Sequence, residues 1–209
     1  MKKLLLLSTI LLLSVSPLLW AQSSNLRFGP TVALNFSTFN GKDANQFGNI
    51  SSKTAFSIGG FMNYRFAEMF ALQPELSFTM KGASSTSNNV NYTFTANYFE
   101  VPVLVKAYIP LAIQAPVKLT LYGGPAIALN LASSVEAQSG SQTANQDLKD
   151  QTKSVDLGLV IGGGVSFGAG SGILDLSLRY TLGLTTTDNS GSNLTITNGV
   201  FAIVGAYAF

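Results

Sequence analysis

The stretch TAFSIGGFMNYRFAEMFALQPELSFTMKG, residues 54–82, alternates with a period of two almost without a break. Phe56, Ile58, Gly60, Met62, Tyr64 and Phe66 form one phase, and Ala55, Ser57, Gly59, Phe61, Asn63 and Arg65 the other. After Ala67-Glu68-Met69 the pattern resumes: Phe70, Leu72, Pro74, Leu76, Phe78 and Met80 oppose Ala71, Gln73, Glu75, Ser77, Thr79 and Lys81. A period of two belongs to a strand, whose successive side chains point to opposite faces. Two such runs joined by three residues predict a β-hairpin.

The same alternation extends in both directions. Eight runs are read, at about 26–38, 53–66, 70–82, 91–108, 117–131, 154–167, 173–185 and 198–209. The connections at 67–69, 109–116 and 168–172 are short, whereas those at 39–52, 83–90, 132–153 and 186–197 are longer and rich in Ser, Asn, Gln, Thr and Asp. Short turns at one end and polar loops at the other are the layout of an outer-membrane barrel, with the turns in the periplasm. The expected fold is therefore all-β: an eight-stranded antiparallel transmembrane β-barrel with short periplasmic turns and longer extracellular loops.

A soluble barrel also alternates, so residue size and charge decide which face meets lipid. The polar phase is mostly Gly, Ala, Ser, Thr and Asn, which fit the narrow interior of eight strands. A solvent-facing phase would be studded with Lys and Glu. The strand charges Arg27, Arg65, Glu75, Glu100, Lys106, Lys118, Asp156, Asp175 and Arg179 all fall in the polar phase. In the other phase a basic residue at the bilayer midplane would cost about 2–4 kcal/mol. Phe28, Tyr64, Phe66, Phe70, Phe167, Tyr207 and Phe209 mark the periplasmic rim, and Phe36, Phe56, Phe78 and Phe94 the outer one, as girdles do.

Composition agrees. Of 209 residues 46% are hydrophobic and only 11% charged, well below the usual quarter for a soluble domain. The formal charge of +2 offers little to a nucleic acid. With no cysteine and no histidine, disulfides, Cys/His zinc sites and histidine-based catalysis are excluded. Residues 1–21 read as a cleaved signal peptide, with Lys2 and Lys3 as the positive region and Leu4 to Leu13 as the apolar one. Those two lysines are the whole charge excess. Residues 22–209 then form a single barrel domain, exported to the outer membrane of a Gram-negative envelope.

Two features resist. Pro30, Pro74, Pro102 and Pro125 lie within runs, and a proline donates nothing to the ladder, so bulges or local bends are expected there. The fourth run also changes phase near Asn97–Phe99, which calls for a bulge or for a strand that begins near Phe99.

Phe28-Gly-Pro with Asn35-Phe-Ser37, Phe70-Ala-Leu-Gln-Pro-Glu-Leu-Ser-Phe78, Lys81-Gly-Ala83, Tyr98-Phe-Glu-Val-Pro-Val-Leu-Val-Lys106, Tyr122-Gly-Gly-Pro125, Asp156-Leu-Gly-Leu-Val-Ile-Gly-Gly-Gly-Val165 and Arg179-Tyr-Thr-Leu-Gly-Leu184 follow one another in the chain. In order and spacing they resemble the PorT-like outer-membrane β-barrel family, across nearly the whole of residues 22–209. The resemblance implies an envelope protein, and one founding branch of that family is linked to a machine that secretes proteins across the outer membrane.

The lumen carboxylates Glu75, Glu100, Asp156 and Asp175 could hold an acid–base pair. The favoured alternative is that they pair with Arg27, Arg65, Lys106, Lys118 and Arg179 in a charge network that plugs the barrel, since buried charges need partners. Gly123-Gly124 and Gly162-Gly163-Gly164 lack phosphate-loop spacing and suit the curvature of a small barrel. No catalytic, cofactor or metal residue is expected. The last run, with Phe201, Ile203, Tyr207 and Phe209 toward lipid, reads as a C-terminal assembly signal for the barrel-assembly machinery. Outer-membrane lipid, that machinery, and envelope or secretion proteins are the expected partners of a monomer. The expected role is a non-enzymatic structural or interaction module, with a narrow channel or a barrel for a small or lipidic ligand as the alternative.

Overall fold

The computed structural model describes residues 25–87, 89–111, 117–192 and 194–209. The signal peptide proposed for residues 1–21 lies outside the described residues. Nine strands are present among the described residues: β1 (Leu26–Asn40), β2 (Asn49–Arg65), β3 (Phe70–Ser87), β4 (Val90–Pro110), β5 (Val117–Ser139), β6 (Gln142–Asp147), β7 (Val155–Ala169), β8 (Gly172–Gly183) and β9 (Thr197–Ala208). Each pairs antiparallel with its neighbours, and β9 returns to β1, so the sheet closes. Eight strands form the wall; β6 sits outside it, paired to the upper part of β5.

The register fixes the shape of the barrel. From Leu26 the pairing steps to Tyr64, Leu72, Val105, Gly123, Ile161, Tyr180 and Phe201, and re-enters β1 at Phe36, ten residues further on. With about 3.3 Å per residue and about 4.8 Å between strands, that stagger tilts the strands by about 41° and gives a backbone radius of about 8 Å. So narrow a cylinder is filled by its own side chains. Every residue on the ring just traced points outward, so register and hydrophobic pattern agree around the whole wall.

The outward face is the apolar one. Val32, Phe56, Ile58, Leu131, Ile161 and Leu178 are among its most exposed side chains, each more than half exposed, while the inward Leu104 and Val160 are completely covered. Aromatic pairs mark both rims: Phe66 and Phe70 at 6.4 Å and Tyr207 and Phe209 at 5.2 Å near the short turns, Phe36 and Phe201 at 6.4 Å and Phe56 and Phe78 at 6.5 Å higher up. A soluble barrel would strand all of this surface in water; lipid is the solvent that suits it.

The extracellular side differs from the expected loops. Residues 83–90 were expected as a polar loop, but β3 and β4 run on to Ser87 and Val90 and turn at Asn89, whose φ is 62°. Residues 132–153 are likewise not loop alone: β5 continues to Ser139 and folds back as β6. Strands of 18, 21 and 23 residues in β3, β4 and β5 far exceed the roughly 9–11 that cross a bilayer. They therefore rise above the membrane as a polar sheet. Its cross-strand hydrogen bonds need no apolar face, which is why the polar composition there concealed the strands.

The proline bulges are also corrected. The registers at Pro30, Pro74, Pro102 and Pro125 carry no shift. Pairing lapses beside three of them and resumes at the same offset, as between Pro102↔Ala126 and Val105↔Gly123 opposite Pro125. A proline withholds one donor but fits an extended chain, so a bond is lost without a residue being added. True shifts lie between Ser52 and Ser57 in β2 and between Asn97 and Tyr98 in β4. At the second the extra residue is Leu131 on β5, since β3–β4 pairing runs without a gap through Asn97 and Tyr98.

Candidate functional site

The lumen is where the chain concentrates its chemistry. Along one hydrogen-bonded row, Arg65, Ala71, Lys106, Tyr122, Gly162, Arg179 and Ala202 lie side by side. Ala71, Gly162 and Ala202 stand between the long residues, which can lie across them. A Cβ at Gly162 would run into the Tyr122 ring. The row thereby stacks cations on rings: Arg65 over Tyr108 at 4.7 Å, Lys106 over Tyr108 and Tyr122 at 5.4 Å each, and Arg179 over Tyr122 at 5.3 Å.

Three groups of ion pairs cross the interior. In the middle Arg179 clasps Glu75 through both terminal nitrogens at 2.8 Å each, and Gln73 donates to the same carboxylate at 2.9 Å. Asn63 supports Gln73 at 2.8 Å and meets the Tyr108 hydroxyl at 3.0 Å. Toward the periplasm Lys106 meets Asp175 at 2.7 Å. Toward the outside Lys81 lies 2.8 Å from Glu100 and 3.4 Å from Asp156, over the Tyr98 ring at 4.8 Å. Asp156 also accepts from the Asn198 amide at 2.9 Å and from the Thr185 hydroxyl at 3.1 Å.

Glu75, Glu100, Lys106, Asp156 and Asp175 are thus buried in ion pairs, with Arg179 on Glu75. Arg27, Arg65 and Lys118 are half-buried toward the periplasmic end and take no ion pair among the described residues. The sequence reading left out Lys81, which bridges two carboxylates. Its signal was present: Lys81 shares a phase with Glu75, Ser77 and Thr79.

The interior has little free space. The cavity between the Arg179 and Lys81 levels is about 30 Å³, room for about two waters, and that at the level of Arg27 and Arg65 is also about 30 Å³. Above Tyr98, the Phe39 and Phe94 rings pack in a tilted pair, 5.6 Å apart, at the outer end. Phe94, expected in the outer girdle, lines a small cavity there with Tyr98 and Asn198. Lys149 adds a lid contact, donating to the carbonyl and side chain of Asn130.

In the loop between β8 and β9, Asp188 accepts from the Ser190 hydroxyl at 2.6 Å and from the Leu194 amide at 3.3 Å. The Ser190 hydroxyl chiefly, with the backbone amides, holds this carboxyl below the usual range. On the last strand Phe201, Ile203 and Phe209 are exposed on the outer wall, and Tyr207 on the same side donates to the Ala169 carbonyl at 3.0 Å.

A closed barrel of eight antiparallel strands, apolar outside and filled inside by ion pairs, is an outer-membrane β-barrel. The chain belongs to the outer membrane protein beta-barrel domain family, whose model matches residues 20–189. Among solved structures it is similar to Ail, the attachment invasion locus protein of Yersinia pestis, with 14% identity, a TM-score of 0.41, and 88% of this chain and 99% of that one covered. Neisserial surface protein A is 14% identical, with a TM-score of 0.47 and 87% and 97% covered. OprG from Pseudomonas aeruginosa is 14% identical, with a TM-score of 0.40 and 88% and 94% covered. No curated protein matches the sequence.

Proposed function

We infer that the chain is a non-enzymatic module of the cell envelope, structural and interactive in role, and of the PorT-like kind. The carrying observation is the lumen, where each of the four carboxylates faces a cation and the cavities hold about two waters each. A general acid or base needs a free carboxyl with access to substrate, and a pore needs a continuous water path. The surface left for contact is the sheet above the membrane, where all six residues of β6 are exposed. Contact with envelope or secretion proteins, export through a cleaved leader, monomeric state and delivery by the barrel-assembly machinery belong to this reading. Photo-crosslinking in cells from Thr143 on β6 and from Glu68 in a periplasmic turn tests it. One protein recovered from one of the two positions supports an interaction module; stable conductance steps in planar bilayers, abolished by changing Arg65 or Glu100, would sink it.

One observation favours the ligand-binding alternative. A groove of about 640 Å³ runs along the outer wall where Ala107, Gly123 and Gly163 lack bulk between Val105, Leu121, Ile161 and Leu178. It faces lipid and suits an acyl chain. Native mass spectrometry with a retained lipid would support that reading.

A further inference from the structure

The lumen is electrically lopsided. Its outer level sets Lys81 against Glu100 and Asp156, and its middle level balances Arg179 with Glu75. The periplasmic level carries Arg27, Arg65, Lys106 and Lys118 against Asp175, which Lys106 already holds at 2.7 Å. Glu68, exposed in the turn after β2, opposes Lys118, whereas Arg65 and Arg27 act on it as like charges. The mouth therefore keeps an excess of two positive charges.

That crowding is built by register. Arg27 pairs with Asn63 across β1–β2, and Arg65 is the next inward residue of β2. Lys118 comes from β5, opposite Pro110. The Arg65 guanidinium carbon lies 4.7 Å from the Tyr108 ring centroid, and the group takes no ion pair among the described residues, so its N–H donors can serve an anion. Half-buried like charges at one level repel.

We propose that the periplasmic mouth of the barrel is a binding site for a phosphate dianion, either free phosphate or the phosphomonoester headgroup of a lipid. Two negative charges match the excess of two, and guanidinium forks suit the oxygen spacing of phosphate. The cavity beneath, about 30 Å³, admits an oxygen edge but not the whole ion, so the rest faces the periplasm. The site is independent of the envelope role inferred above.

Isothermal titration of inorganic phosphate into the barrel, refolded in a maltoside micelle at pH 8, reads the site directly. Saturable binding is expected, weakened by about tenfold or more in Arg27→Gln/Arg65→Gln and unchanged in Lys42→Gln, in the exposed turn after β1. Should the double variant fail to fold, Lys118→Gln and thermal melting serve instead: phosphate raises the Tm of the wild type and raises that of Lys118→Gln less. No heat and no Tm shift in the wild type, or equal affinity in the folded charge variants, overturns the site. Nanodiscs separate the two sources. Phosphate binding lost in phosphatidic acid but kept in phosphatidylcholine assigns the site to the headgroup; binding kept in both assigns it to free phosphate.

Discussion

Arg179 on β8 and Glu75 on β3 meet across the barrel through two parallel hydrogen bonds of 2.8 Å. The two residues are 104 positions apart, and their clasp joins opposite walls of the cylinder. Removing one partner leaves a buried charge alone, whereas removing both does not. Glu75→Met or Arg179→Met alone should therefore destabilise the barrel by about 3–5 kcal/mol, and the two together by much less. Urea unfolding in micelles of the wild type, both single Met variants and the double variant, read as a double-mutant cycle, checks the difference; a double loss equal to the sum of the two single losses would mean that the pair is not coupled.

Gly162 holds the space that the Tyr122 ring occupies. Gly162→Ala should cost about 1–3 kcal/mol by overpacking and displace Tyr122 from Ser177, now 2.9 Å away. Adding Tyr122→Leu should restore most of the loss. The urea midpoint of each variant reads it.

The β8–β9 loop should loosen in acid. Asp188 is held below the usual carboxylate range, so it is the charged form that binds Ser190 and Leu194. The stabilisation is fully present above the unfolded value of about 3.9 and is lost as pH falls through the lower folded value. Amide chemical shifts of Ser190 and Leu194 followed from pH 6 downward should move with that titration. In Asp188→Asn the pH-dependent movement should vanish.

Phe209 ends the last strand on the lipid side, with its ring 5.2 Å from Tyr207 and its amide bonded to the Phe28 carbonyl at 2.9 Å. If Phe201, Ile203, Tyr207 and Phe209 form an assembly signal, deleting Phe209 should lower the heat-modifiable fraction in the outer membrane. Refolding in detergent should change little, since the ladder from Thr31 to Asn40 remains. Unchanged assembly in cells would remove the signal reading.

Residues 54–82 already specified a hairpin, and repetition of their period around the chain specified the barrel, because a period of two is local and lipid demands one apolar phase. The same rule put nine strand charges, from Arg27 to Arg179, in the polar phase and left out Lys81. It was silent above the membrane, where strands need no apolar face, so β6 and the upper parts of β3 and β4 read as loop. It overstated the prolines, whose missing donor costs a bond and not a register.

What the chain alone determined was therefore the phase of each side chain: inside or outside, polar or apolar. Which inside residues meet was decided only by closure. The ten-residue stagger sets Glu75 opposite Arg179 and Lys81 beside Asp156, and leaves Arg27, Arg65 and Lys118 together at one mouth. That stagger is a property of the closed ring of pairings, a sum over eight strand pairs that no single stretch of sequence carries.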